Sequence, residues 1–400
     1  MDFSLTDDQR LIRDTVRQFM ETEVRPMIRE CERAEKFPME QVRKFGEMGF
    51  CGMLIPEEWG GAGADTLSYV LMLEEVARVD AAFTVALSVH ISVVCVQLWK
   101  YGSDAQKKKY LPRLARGEML GAFCLTEPQA GSDSAAIQAR ATRHGASYRL
   151  NGTKSWVSNG GVSGVYLVFA KTDPGAGARG VTAFLVEPEF PGFRVGRYED
   201  KMGLRTSHTA EIVFTDCEVP ADNRLGEEGR GLKIALEGLD GGRVGIAAQA
   251  VGIGQGALEE AVRYAKQRRA FGKAISEFQA IQWMLADMQT EIEAARGLTY
   301  YAAWLRDQGS ARLGPHASRA KLYASEMVNR VVYKAVQVHG AVGYSRETDV
   351  ERMYRDARAL SIYEGTSEIQ RMIIARDLLD PAGAARESAS REPAHAKGGR

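Results

Sequence analysis

Between about Gly121 and Arg224 the apolar pattern of this 400-residue chain changes period. On either side, apolar residues recur every three to four positions, as on one face of a helix. Inside come short runs of β-formers: Tyr148–Leu150, Val165–Ala170, Val181–Val186 and Glu211–Phe214. Gly, Pro, Asp and Asn separate them, which predicts antiparallel strands in a small β domain. The order α, then β, then α predicts an α+β architecture with helices and strands segregated along the chain. The expected division is a helical region over 1–120, a β domain over 121–228 and a helical bundle over 229–380. The last stretch, 381–400, is Ala, Gly, Ser, Pro and charge; too little of it is apolar to offset ordering, so it is expected to be disordered.

The helical thirds carry their own punctuation. Thr6-Asp7-Asp8-Gln9 is a capping box, followed by Ile12, Val16, Phe19 and Met20 at helical spacing. A second helix is expected from about Thr66 to Val79, after the turn-rich Trp59–Gly63. Thr84–Leu98 is the longest apolar stretch; it falls short of the ~18–20 residues that cross a bilayer, so a buried helix is predicted rather than a membrane span. Late in the chain, Ile281, Met284, Leu285, Met288 and Ile292 form one apolar stripe, and Ala320, Ala324, Met327, Val331, Ala335 and Val338 another. Long helices with such stripes suit a four-helix bundle with room for subunit contact. Gly252-Ile253-Gly254-Gln255-Gly256 imitates a dinucleotide loop, but no strand precedes it and its spacing differs from GxGxxG. Close helix packing explains it better.

Charge and cysteines exclude several classes. The formal net charge is zero, which leaves no electrostatic footprint for nucleic acid. The five cysteines are scattered without a CxxC pair, so neither a disulfide framework nor a zinc site is indicated. The six histidines are equally dispersed, and no metal site is expected. The N-terminus is acidic and polar, unlike a signal or transit peptide, and the expected location is cytoplasmic.

Several segments have the residue types for chemistry. Phe123–Asp133 combines hydroxyls, a proline-fixed turn and small residues, and can bring backbone amides close to a polar ligand; the plainer reading is a strand and a turn. Lys154-Ser155-Trp156-Val157-Ser158-Asn159-Gly160-Gly161 sets a hydroxyl two residues beyond a tryptophan, on the same side of a strand. Asp240-Gly241-Gly242-Arg243 reads by itself as a helix start. Arg268–Lys273 is a basic run that is ordinarily a solvated face. Ile362-Tyr363-Glu364-Gly365-Thr366-Ser367-Glu368-Ile369-Gln370 sets a carboxylate beside a glycine and two hydroxyls.

Together, in this order, these segments resemble the acyl-CoA dehydrogenase family, over about residues 3–380. The resemblance implies a non-covalently bound FAD between the β domain and the C-terminal bundle. It makes Phe123, Leu125, Thr126, Gly131 and Ser132 one flavin wall, and Trp156, Val157 and Ser158 the second. Ser158 stands where many relatives have threonine, and the hydroxyl is kept. Arg268, Phe271, Gln279, Gln337, Val338, Gly340 and Ala341 would reach the FAD of a neighbouring subunit in a homotetramer, a dimer of dimers. Ala341 departs from a frequent glycine, and its methyl would crowd a backbone contact. Thr366, Ser367 and Glu368 complete the FAD set, while Ser132, Asp240, Arg243 and Gly365 would meet the acyl-CoA.

The implied catalytic residue is Glu364, which would remove the proton beside a thioester carbonyl while the flavin accepts hydride from the next carbon, giving a trans-2-enoyl-CoA. Isovaleryl-type relatives place their base at the position of Gly242, and glutaryl-type relatives carry an arginine where this chain has Thr84. Leu239–Arg243 and Tyr363–Gln370 are nearest in texture to the short-chain, butyryl-type branch. Electrons would pass to an electron-transfer flavoprotein. The alternatives are an oxidase of the same fold, which flavin accessibility would decide, and a non-catalytic flavin-binding or assembly protein, against which Glu364 argues.

Overall fold

The structure is a computed structural model that describes residues 4–380. The expected disordered tail, 381–400, lies outside the described residues. The first helices are α1 (Asp7–Phe19), α2 (Ile28–Ala34), α3 (Met39–Glu47), α4 (Thr66–Val79), α5 (Ala81–Ser88), α6 (Val96–Tyr101) and α7 (Asp104–Ala115). Strands β1 (Gly121–Cys124), β2 (Arg140–His144), β3 (Ser147–Ser158), β4 (Val165–Lys171), β5 (Val181–Val186), β6 (Phe193–Tyr198), β7 (Thr209–Pro220) and β8 (Arg224–Leu225) follow. After α8 (Gly231–Gln267) a short hairpin pairs β9 (Arg269–Ala270) with β10 (Lys273–Ala274). The chain then runs through α9 (Gln279–Asp307), α10 (Leu313–His339), α11 (Asp349–Ala357) and α12 (Ser367–Leu379). Contacts group it into two compact units.

One unit comprises Pro26–Asp65 and Ala82–Gly242 and holds the eight-stranded sheet. The strand order is β6-β7-β3-β2-β4-β5-β8, with β1 paired to β4. The antiparallel expectation holds along β2–β3–β7–β6 and β4–β5–β8, whereas β1 and β2 join β4 in parallel. β4 is central and apolar on both faces, because alternate residues serve two cores. Val165, Leu167 and Phe169 pack with Val93–Val96, Leu98, Tyr110, Leu111 and Leu114 from the helices. Tyr166, Val168 and Ala170 pack with Tyr148, Leu150, Ile212 and Phe214 from β3 and β7. Each such large apolar side chain contributes roughly 1.5–3 kcal/mol when removed from water.

The apolar stretch expected as a buried helix is longer than its sequence core. A continuous helix spans Ala81–Tyr101, 21 residues, with its middle, Val89–Cys95, in π-helical geometry. By length and composition alone it could cross a membrane, but its apolar window is wholly buried, as in a core helix. His90 is fixed within it: Nδ1 accepts from the Gly121 amide at 3.1 Å and Nε2 donates to the Leu114 carbonyl at 3.1 Å.

The other unit comprises the described residues of Met1–Arg25, Thr66–Ala81 and Arg243–Arg400. The expected capping box opens α1: Gln9 N donates to Thr6 Oγ1 at 3.2 Å and Thr6 N to Gln9 Oε1 at 3.0 Å. α10 is the central helix, packed on α9, α11 and α12. Its stripe Ala320, Ala324, Met327, Val331 and Ala335 is fully buried. On α9 only Met288 and Ile292 of the expected stripe are buried, and Ile281, Met284 and Leu285 are half-exposed. The glycines of α8 are the close-packing device the sequence indicated. A Cβ on Gly252 would strike the Glu74 carbonyl, one on Gly256 the Arg78 carbonyl, and one on Gly254 would lie 3.2 Å from Ile292. Arg78 is the polar hub of this packing, bonded to Glu75 at 3.0 Å, Glu259 at 3.0 Å and Glu21 at 2.6 Å.

Candidate active site

The sequence-indicated residues fall on both units, and each unit assembles its own set. In the sheet-bearing unit, β1 ends at Cys124 and the Thr126 segment leaves it beside β3, where the Ser155 amide donates to the Thr126 carbonyl at 2.9 Å. Register shifts interrupt the β3–β7 ladder between Lys154 and Val157. A bulge of this kind re-aims a side chain. Trp156 takes up the irregularity with φ +59° and is left 60% exposed, while Val157 turns into the core. Such a backbone is uncommon for a bulky residue and marks strain the surrounding structure must hold.

Below this surface lies an ion pair. Lys154 Nζ, fully buried, is 2.7 Å from Glu127 Oε1 and 3.0 Å from the Leu125 carbonyl. Glu127 also accepts from the amides of Gln138 at 2.6 Å and Ala139 at 3.0 Å and from Gln129 Nε2 at 2.7 Å. Burial pushes the Glu127 carboxyl up, but the Lys154 ammonium and the two amides outweigh it and hold it below the usual carboxylate range. Asn159, with φ +62°, donates to the carbonyls of Ala86 at 3.0 Å and Gly121 at 3.1 Å and anchors the end of β3. Thr126 and Ser158 are half-buried and Ser132 is exposed, and none of the three hydroxyls is taken up within the described residues. Gly131 has open space where a Cβ would be. Free hydroxyls beside an exposed aromatic face suit a flat, polar ring system, which fits FAD.

In the helical unit, Glu364 sits in a turn with φ +51°, followed by Gly365 at φ +92°. Three groups hold the turn. Lys321 Nζ donates to the Gly365 carbonyl at 2.8 Å, Gln370 Nε2 to the Gly365 carbonyl at 2.9 Å and the Glu364 carbonyl at 3.3 Å, and the Tyr363 hydroxyl to Gln249 Oε1. Gln249 is itself tied to the Ala81 carbonyl at 2.7 Å. Thr366 caps α12 by accepting from the Ile369 amide. Glu364 as a residue is half-buried, yet its Oε2 is sealed and has no hydrogen-bond partner among the described residues. Burial drives the carboxyl up, against the pull of the Lys321 and Arg243 cations, to about 7. The Glu364 amide is likewise unused by any hydrogen bond among the described residues.

The remaining candidates divide by environment. Arg243 is buried in α8, three residues after half-buried Asp240. Arg268, Gln279, Gln337, Gly340 and Ala341 are exposed, and Phe271 is 95% exposed with φ +52°. The exposed Ala341 methyl lies in the 3₁₀ turn Gly340–Tyr344. Phe123 is partly buried against Phe169, and Leu125 and Val338 are buried. Ser367 is buried with its hydroxyl committed to Glu326 Oε1 at 2.6 Å, and Glu368 is exposed. Sequence reasoning missed Lys321, Gln370, Gln249 and the Lys154–Glu127 pair. For Glu127, Lys154 and Gln370 a signal existed, since all three lie inside the segments singled out.

Known proteins resemble this chain along most of its length. Signatures described as the N-terminal, middle and C-terminal domains of acyl-CoA dehydrogenase match residues 6–118, 122–217 and 229–379. A short-chain specific acyl-CoA dehydrogenase of Clostridium acetobutylicum is 47% identical over 374 residues, covering 94% of this chain and 98% of the relative. The butyryl-CoA dehydrogenase structure from Megasphaera elsdenii superposes with a TM-score of 0.93 at 45% identity, covering 95% of this chain and all of that one. A chain in the structure described as the electron transferring flavoprotein of Acidaminococcus fermentans superposes at 0.94 with 47% identity, covering 95% of this chain and all of that one. The chain belongs to the acyl-CoA dehydrogenase family and is a flavin-dependent oxidoreductase whose cofactor is FAD.

Proposed function

We propose that the chain dehydrogenates a short-chain acyl-CoA to a trans-2-enoyl-CoA, with Glu364 as the base that takes the proton next to the thioester. The observation that carries this reading is the inward Glu364 carboxylate: its Oε2 is sealed and has no hydrogen-bond partner among the described residues, and burial lifts the group to about 7. A base works best when its pKa lies near the working pH. The same turn presents the unused Glu364 amide, a donor suited to the carbonyl oxygen as negative charge develops there. Gly365 lets the thioester approach, and Asp240 and Arg243 bind and orient the CoA ester. Thr126, Ser132, Trp156 and Ser158 hold FAD; Thr366 and Glu368 complete the FAD set, and the exposed Arg268, Phe271, Gln279 and Gln337 reach the FAD of a neighbouring copy in a homotetramer. When bound, FAD supplies the acceptor for the hydride. The short-chain preference is supported by relatives described as short-chain specific and butyryl-CoA dehydrogenases. The Acidaminococcus neighbour supports an electron-transfer flavoprotein as the next acceptor. Anaerobic titration of the holoenzyme with acyl-CoAs of increasing length tests the reading: butyryl-CoA should bleach the flavin fastest, and failure of every acyl-CoA to bleach it would overturn it.

A further inference from the structure

Lys321 is fully buried in α10, yet among the described residues its ammonium has only a neutral hydrogen-bond partner, the Gly365 carbonyl at 2.8 Å. That carbonyl already accepts from Gln370 at 2.9 Å, so a lysine is not required to satisfy it. An isolated buried ammonium is unfavourable unless a carboxylate shares its surroundings. The charged groups around Lys321 are Glu364, Arg243 on α8, Glu326 on α10 and Glu368 on α12. Glu326 accepts from Ser367, and Glu368 is exposed. Glu364 is therefore the sealed carboxylate in its field. Tyr363, from the same turn, faces Glu364 as a neutral phenol, since burial pushes it well above its usual range.

We propose that Lys321 is a positioning residue for the reaction: it pins the Gly365 carbonyl and sets a positive charge beside Glu364, which keeps that carboxylate turned inward and available as an anion. The proposal rests on reading Glu364 as the base. Burial by itself drives the carboxyl toward its neutral, unreactive form, and Lys321 is the first of the two cations that oppose it. The influence is mutual. Burial pulls the ammonium down to about 8, and the Glu364 carboxylate does more than any other neighbouring charge to hold it up.

Lys321→Met keeps the length of the side chain and removes both charge and donor. The Glu364 carboxyl is followed by infrared spectroscopy of resting, 13C-glutamate-labelled holoenzyme, with the Glu364→Gln spectrum subtracted. The expected result is a midpoint raised by about one pH unit or more. The pH profile of flavin reduction by acyl-CoA should move the same way, with the rate recovering at high pH. Gln370→Met, which removes the neutral donor to the same carbonyl, should leave the midpoint in place. An unmoved midpoint in Lys321→Met overturns the proposal. Should that variant fail to fold, the reciprocal measurement applies: in Glu364→Gln the Lys321 ammonium, followed by 15N-lysine NMR, should titrate lower than in the parent, and an unchanged titration overturns the proposal. The infrared titration reads the coupling whether or not Glu364 takes a substrate proton. Parent-like turnover in Glu364→Gln would remove the base assignment, and the positioning role with it, while leaving that shift intact.

Discussion

Lys154 and Glu127 meet at 2.7 Å inside the sheet-bearing unit, with both side chains sealed from solvent. The pair ties the Thr126 segment to the strand that carries Trp156, because Lys154 also grips the Leu125 carbonyl. Removing one partner strands a charge in the interior. Lys154→Met should destabilise the protein by about 3–5 kcal/mol. Thermal unfolding checks the stability, and flavin absorbance of the purified variant should show FAD lost with it; a variant that unfolds like the parent would mean that the pair does not hold the segment.

Glu364→Gln keeps shape and removes the proposed base. Flavin reduction by acyl-CoA should slow at least ~10³-fold, because a positioned base typically contributes 10²–10⁴-fold. Stopped-flow absorbance reads this directly. A rate within about tenfold of the parent would send the assignment elsewhere.

The same substitution should act on stability in the opposite direction. Glu364 titrates at about 7 in the folded chain against an ordinary 4.5. A carboxyl raised in the folded state contributes stability below its unfolded value and loses it as pH rises through the folded one. Between pH ~4.5 and ~7 the parent should therefore lose stability that Glu364→Gln keeps, leaving the variant more stable at pH 8 by roughly 1–3 kcal/mol. Denaturant melts at pH 5 and pH 8 test it: a difference that does not grow with pH would refute the raised value. With Glu364 as the proposed base, flavin reduction in the parent should rise with pH through about 7, as that carboxyl ionises.

Gly365→Ala would force a side chain onto a residue at φ +92° and place its Cβ 2.6 Å from Gln370 Nε2. Strain of this kind costs about 1–3 kcal/mol. The measurable consequence is a lowered melting temperature together with slower flavin reduction at unchanged FAD content. A variant indistinguishable from the parent would show that the turn tolerates a methyl.

What was legible in the sequence was whatever depends on neighbours along the chain. Thr6 and Gln9 announce α1 because a capping box needs residues three apart, and Val181–Val186 reads as a strand because its run is unbroken. β3 and β7 were seen only as the fragments Tyr148–Leu150 and Glu211–Phe214, although each is twelve residues long. The bulges at Gly152 and Trp156 break the period of two on which strand reading relies. The parallel partners of β4 were hidden for another reason: pairing direction is set by long-range topology. In the site, Glu364 was legible through its company in a short motif. Lys321 was not, since it lies 43 positions before Glu364 and the packing of α10 on α12 brings it to the turn.

Trp156, Phe271 and Glu364 share a left-handed backbone that glycine or asparagine would adopt with less strain. Anyone hardening this protein by sequence optimisation would meet these three positions near the top of the substitution ranking, each offering an easy gain in melting temperature. Accepting the gains would strip out an exposed aromatic face, an exposed phenylalanine and the proposed proton acceptor in one round, while the fold itself improved. The three positions should be frozen before any such campaign begins, and the search for robustness confined to the helices and strands that carry them.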